Sequence, residues 1–200
     1  MARRLILARH PKAAAQQAGR FLGSTDLPLD DDGRAEATAI GRAIGEMSIS
    51  RALTSPLRRT AETAAILGVD AAIDPDLREV DFGRWEGLSF GEIARADPKL
   101  VDRWARFDLD FSFPEGENLG EFVKRTSDVA DRLAADSEDT ILAVTHGGVI
   151  RAMICHLLGL EPKQYLLFEI DPASLTTIDV STGRGVLVGL NDTCHLKGGV

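Results

Sequence analysis

The chain has 200 residues, enough for one large domain or at most two small ones. It is 44% hydrophobic and 27% charged, as soluble globular proteins are, and 23 basic against 31 acidic residues leave a net charge of -8. That balance argues against a general nucleic-acid binder, which needs a basic face, while a local arginine cluster can still hold a small anion. Residues 4–8 are the first expected strand, a short apolar run of the kind buried in a parallel sheet. Pro11, with no N–H to give a ladder, marks its end. Residues 11–29 lack a clear period and read as a long loop, a length uncommon in compact domains unless the loop carries function. Asp30, Asp31 and Asp32 before Gly33 suit the positive end of a helix dipole. Ala37, Ile40, Ala43 and Ile44 then recur at helical spacing, to about Met47. A second strand over 50–55 precedes Pro56, a second helix over 57–67 ends at Gly68, and a third strand follows near 71–74. Strand and helix alternate to this point, which favours an α/β sheet.

The middle is less regular. Residues 77–87 mix charge, aromatic rings and glycine without a period. Short helices are expected over 89–96 and 98–107, a turn-rich loop over 108–116, and a long amphipathic helix over 118–135 with Phe122, Val129 and Leu133 near one face. Residues 140–144 are the clearest buried strand; they run into Thr145-His146-Gly147-Gly148 and a helix over 149–158, ended by Gly159. The tail has β-like segments at 165–170, 174–180 and 185–190, the last two joined as a hairpin through Ser181-Thr182-Gly183. No repeat, low-complexity tract or linker splits the chain, so a single domain over 1–200 is expected.

Two cysteines, Cys155 and Cys194, make neither a disulfide scaffold nor a four-ligand zinc site. The four apolar residues near the start are too few for a signal-peptide core, and no stretch approaches membrane-spanning length. The expectation is a cytoplasmic protein with no nucleic-acid and no membrane partner. The late β-like segments offer an edge strand for a homodimer, and nothing requires one over a monomer.

His10 and His146 each follow an expected buried strand, and in open α/β sheets ligands bind beyond the carboxyl ends of the strands. Two further strand ends deliver Arg59 and Glu79. Taken singly, Arg9 reads as a solvated charge, Glu79 as a surface carboxylate and each histidine as incidental. Together they make a parts list. Two arginines present forked donors to phosphate oxygens. A neutral imidazole is a competent nucleophile. His146 with Gly147-Gly148 at a helix start offers N–H groups to an anion. A nearby carboxyl can protonate a leaving oxygen and then deprotonate water. The arginine and histidine charges would do the neutralising that a metal ion does elsewhere.

Leu7-Ala8-Arg9-His10, Ser55-Pro56-Leu57-Arg58-Arg59, Leu77-Arg78-Glu79-Val80-Asp81-Phe82-Gly83 and Val144-Thr145-His146-Gly147-Gly148 stand in this order. Together, from Leu5 to about Leu190, they resemble the histidine phosphatase superfamily, the phosphoglycerate-mutase-like group. The resemblance implies a three-layer α/β/α sandwich with a mostly parallel central sheet. It implies His10 as the phosphorylated nucleophile and Glu79 as general acid and base. Arg9, Arg59 and His146, with Gly147, would form the phosphate pocket, and no metal or other cofactor is expected. The chain departs from the usual pattern at one place: Pro11 stands where Gly is usual, Lys12-Ala13 where Glu-Thr often follows, and Gln16 where Asn is frequent. Pro11 removes an N–H that would otherwise face phosphate. The Arg-His-Pro start followed by residues 19–29 is similar to the alpha-ribazole phosphatase branch, which makes Gly23, Ser24 and Thr25 a candidate substrate loop.

The expected activity is metal-independent hydrolysis of a small phosphomonoester. Three alternatives stand beside it: phosphoryl transfer of the phosphoglycerate mutase type, a metallohydrolase with His10, His146 and Glu79 as ligands, and a non-catalytic phospholigand-binding member. The resemblance implies that the mutases are longer, with extra covering segments, so this length favours the phosphatase. Two arginines without a compensating carboxylate pair disfavour a metal, and the presence of all five pocket residues disfavours a degenerate binder. Residues 87–120 are expected to cap the pocket and select the leaving group. Around that segment Trp85, Phe90, Trp104 and Phe107 read first as packing. Residues 115–118 either touch a polar substrate or turn the chain and cap the next helix. His195 reads as incidental and His156 as helix packing.

Overall fold

The computed structural model describes residues 3–14, 19–181 and 184–197. Gln16 and the expected turn at Thr182-Gly183 lie outside them. In chain order the elements are β1 (Arg3–Arg9), α1 (Asp31–Ile44), β2 (Arg51–Thr54), α2 (Arg58–Leu67), β3 (Ala71–Ile73), α3 (Phe90–Ala96), α4 (Pro98–Ala105), α5 (Leu119–Ala135), β4 (Thr140–Thr145), α6 (Gly147–Leu158), β5 (Leu175–Ser181) and β6 (Arg184–Asp192). Short 3-10 turns occupy Pro75–Leu77, Gly83–Trp85, Pro162–Leu167 and Cys194–Leu196.

The strands form one six-stranded sheet in the order β3-β2-β4-β1-β5-β6. The pairings β3·β2, β2·β4 and β4·β1 are parallel; β1·β5 and β5·β6 are antiparallel. Successive side chains of a strand point to opposite faces, and here both faces are covered. Leu5, Leu7, Ile141 and Ala143 pack with Phe122, Val129, Val149, Ile150 and Met153 of α5 and α6. Ile6, Ala8, Leu142 and Val144 pack on the other face with Ile40, Ile44 and Ala64 of α1 and α2. That double burial is why β1 and β4 read as unbroken apolar runs. The result is the three-layer sandwich with a mostly parallel sheet.

The helices begin and end on local signals. Asp30 caps α1 by accepting from the Gly33 amide at 2.7 Å, and Asn118 caps α5 through Gly120 and Glu121. Gly68 and Gly159 close α2 and α6 in the left-handed region, at φ 70 and 69°. α6 starts two residues before the expected 149, directly after His146.

One expected element is wrong. Residues 165–170 are not a strand: Pro162–Leu167 is a 3-10 helix. Pro162 sits at its first turn, and Glu161 with Gln164 forms a reciprocal cap, a start signal that outweighs the β-like composition behind it. Leu166 and Leu167 are left exposed, and Ile170 is buried. Among the described residues no helix is long and apolar enough to cross a membrane.

Candidate active site

The sheet topology dictates where the site falls. The chain leaves β1 toward α1 on one face and leaves β4 toward α6 on the other. A crevice opens where those two connections diverge, beyond the carboxyl ends of adjacent parallel strands. Arg9 pairs with Thr145 in the β1·β4 register, so the next residues, His10 and His146, are neighbours across one strand spacing. Their ring centroids are 5.1 Å apart, edge to face. Thr54 pairs with Val144, which carries Ser55 up beside the same point.

Each ring has its orientation set by a partner. Nδ1 of His10 lies 2.7 Å from the carbonyl oxygen of Pro11, so Nδ1–H donates there and the lone pair is on Nε2. Nε2 accepts from Nε of Arg59 at 3.2 Å. The carbonyl that locks the ring belongs to the backbone, so proline at 11 leaves this function intact. Nε2 of His146 is 2.8 Å from Oγ of Ser55. Its Nδ1 is buried without a hydrogen-bond partner among the described residues, as is Nε of Arg9.

Both histidines are almost fully buried, and both are held well below the ordinary imidazole pKa. For His10 burial is the main cause, followed by the charges of Arg59 and Arg9. For His146 burial again leads, followed by His10 and the arginines. Near neutral pH both rings are therefore uncharged. Burial also lowers Arg59 and Arg9, with Glu79 pulling the other way. Both guanidiniums remain cations.

Arg59 enters from the first turn of α2 and is fully buried. Its Nη1 and Nη2 donate to the carbonyls of Thr25 and Gly23 at 2.8 and 2.7 Å. The loop carrying those carbonyls is tied down by Glu86, whose carboxylate accepts from the amides of Gly23 and Ser24 at 3.1 and 2.8 Å and from Oγ1 of Thr25 at 2.7 Å. Ser24 Oγ donates to Asp81 at 2.9 Å. Gly23, Ser24 and Thr25 thus stand beside Arg59 and are absent from the cavity wall, which is lined instead by residues 19–22.

Arg9 donates through Nη1 to the carbonyl of Ile170, and its guanidinium lies flat against Gly147: a Cβ there would come within 3.3 Å of Nε. Glu79 is held by two amides. Oε2 accepts from Gly148 and Oε1 from Val80, both at 3.0 Å. Only glycine permits the first contact, because a Cβ at 148 would fall 2.5 Å from Oε1. The segment bearing Glu79 is anchored from α5. Nη1 of Arg125 donates to the carbonyls of Asp76 and Arg78 at 2.8 and 2.7 Å, Nη2 donates to that of Glu79 at 3.2 Å, and Glu117 closes the pair at 2.6 and 2.9 Å.

A cavity of about 460 Å³ opens over these groups. Arg9, Glu79, Gly147 and Gly148 lie in its wall; His10, Arg59 and His146 are buried and are not among the residues that line it. The remaining wall is mostly apolar, with Phe21, Phe82, Trp104, Phe113 and Phe122. Arg151 and Tyr165 also line it, and sequence reasoning named neither. The other aromatic residues of the middle segment divide: Trp85 is fully buried in the core and Phe90 is exposed. Outside the site, His195 bonds the carbonyl of Ala173. His156 does not pack inside a helix interface; it is exposed and meets Asp131 of α5 at 2.7 Å. Among the described residues no group of three or more His, Cys, Asp and Glu side chains is arranged to hold a metal ion.

The α/β crevice thus brings together two facing neutral imidazoles, two guanidiniums and one carboxyl. Residues 5–193 match the histidine phosphatase superfamily, branch 1, and the chain belongs to it. An acid phosphatase of Mycobacterium tuberculosis is 31% identical over 196 residues, covering 96% of this chain and 94% of that one. Phosphoserine phosphatase 1 of Hydrogenobacter thermophilus is 28% identical over 198 residues, covering 96% and 94%. The crystal structure of the alpha-ribazole phosphatase from Shigella flexneri matches with a TM-score of 0.83 at 28% identity, covering 94% and 96%. All three are named as phosphatases, two of them for different esters.

Proposed function

We propose that the chain hydrolyses small phosphomonoesters without a metal ion, through a phosphohistidine on His10. The observation that carries this reading is the locked ring of His10, which keeps a lone pair on Nε2 beside His146 and between two arginines. Nε2 attacks phosphorus, the bond from phosphorus to the ester oxygen breaks, and that oxygen takes a proton from the carboxyl of Glu79. Water then gives a proton back to Glu79 and its oxygen to phosphorus. The phosphorus–nitrogen bond breaks, and inorganic phosphate leaves with His10 neutral again.

Charge on the transferring group is met by fixed donors. Arg9 and Arg59 supply the cations, and two of the buried unpartnered atoms among the described residues, Nε of Arg9 and Nδ1 of His146, supply N–H groups with no competing acceptor. The start of α6 at Gly147 adds backbone amides. We assign residues 87–120 as a cap on the strength of Trp104, Phe113 and Leu119, which reach the cavity from that segment. Gly23, Ser24 and Thr25 serve the site through Arg59. The free cysteines Cys155 and Cys194 fit a reducing compartment, and we place the enzyme in the cytoplasm.

The test is a comparison of two products. Purified protein is given a nitrophenyl phosphate and a phosphoglycerate in the presence of a strong chelator. Release of inorganic phosphate from the first supports the proposal. Isomerisation of the second without release would make the chain a mutase, and activity abolished by the chelator would make it a metalloenzyme.

A further inference from the structure

Among the described residues the cavity wall holds one cation with no assigned task. Of its ionisable side chains, Arg9 lies against Gly147 beside the phosphoryl site, and Glu79 is held by the Gly148 and Val80 amides. Arg20 is paired with Glu92 at 2.9 Å and with the carbonyl of Gly87. Burial pushes the Tyr165 hydroxyl pKa up to about 12, so it carries no charge. Arg151 is different. Its Nε donates to the carbonyl of Phe168 at 2.8 Å, and its two terminal nitrogens meet no acceptor and no carboxylate among the described residues. The charge of Arg9 repels it. A half-buried guanidinium beside another cation, in an aromatic-walled cavity, is stabilised once an anion arrives.

Position and geometry narrow that anion. Arg151 lies four residues after Gly147 on α6, so their Cβ directions share a face about 5–6 Å apart. With Nε already used, the remaining edge of the guanidinium is the pair of terminal nitrogens, which matches the two oxygens of a carboxylate. We propose that Arg151 forms a second anion subsite, and that the preferred substrate is a short phosphomonoester bearing a carboxylate about one helical turn from the transferred phosphoryl group. This inference rests on the phosphatase reading above and adds the class of its substrate.

The test uses 3-phosphoglycerate and glycerol 3-phosphate, which differ at the carboxylate, with a nitrophenyl phosphate as the ester that reports chemistry alone. The parent enzyme is expected to favour 3-phosphoglycerate in kcat/KM by about tenfold or more, the scale of a charged hydrogen-bond pair. Arg151→Gln is expected to erase that ratio through the KM for 3-phosphoglycerate, and Arg151→Lys to retain part of it. A parent without preference, or a ratio unchanged in Arg151→Gln, overturns the subsite while nitrophenyl phosphate turnover keeps the phosphatase reading intact. A parent that releases phosphate from none of the three esters overturns both.

Discussion

His10 and His146 face each other edge to face with ring centroids 5.1 Å apart, and neither ring carries a charge near neutral pH. Two protonated imidazoles at that distance, buried beside two arginines, would repel strongly. Burial removes the problem by keeping both neutral, and neutrality is what a nucleophilic nitrogen requires. The same arrangement makes the site sensitive to perturbation at points away from the rings.

Glu79 is one such point. Glu79→Gln keeps the shape and loses the transferable proton, so turnover of alkyl phosphates is expected to fall by about 10²–10⁴, and that of nitrophenyl phosphate by much less. Gly148→Ala is expected to move in the same direction, because its Cβ would sit 2.5 Å from Oε1 and push the carboxyl away from its amide. Steady-state rates on both ester types check this. Equal losses on both would mean that Glu79 is not the acid.

The depressed histidines also couple folding to pH. In the unfolded chain each imidazole takes up a proton near pH 6.5; in the folded protein it resists protonation until well below that. The unfolded state therefore binds more protons as pH falls below about 6.5, and stability declines there, by at most about 1.4 kcal/mol per pH unit for each ring. Above pH 6.5 this contribution is fully present and flat. Urea melts between pH 7.5 and 5 should show the decline, and His10→Asn/His146→Asn should weaken it. A parent whose stability is level from pH 7.5 to 5 would contradict the neutral assignment.

Arg125 does not line the cavity, yet it ties α5 to the carbonyls of Asp76, Arg78 and Glu79. Arg125→Met leaves Glu117 buried with its main partner gone, and the expected cost is about 3–5 kcal/mol of stability. A urea midpoint reads it. A loss below about 1 kcal/mol would show that the network is weaker than its geometry.

The parts legible in sequence are those where one residue carries its own signal. β1 and β4 are apolar on both faces, and His10 and His146 follow them directly, so strand and site were visible together. Arg59 and Glu79 were placed by the ends of the elements before them. What escaped depends on distant partners. Ser55 orients His146 only because β2 and β4 pair in one register. Arg125 and Arg151 look like ordinary helix-surface cations until the backbone carbonyls they meet, at 76–79 and 168, are folded against them. Spacing alone offered one hint, since Arg151 is one turn after Gly147. The misread segment at 165–170 had β-like side chains, and the proline and reciprocal cap just before it were the stronger signal.

The most direct measurement is mass spectrometry of the enzyme quenched during turnover without acid. The account predicts one added phosphoryl group on His10, absent in His10→Ala, with the variant's turnover reduced far beyond tenfold, or about 1.4 kcal/mol of barrier. An unmodified enzyme throughout turnover, or a His10→Ala variant within tenfold of the parent, would contradict it.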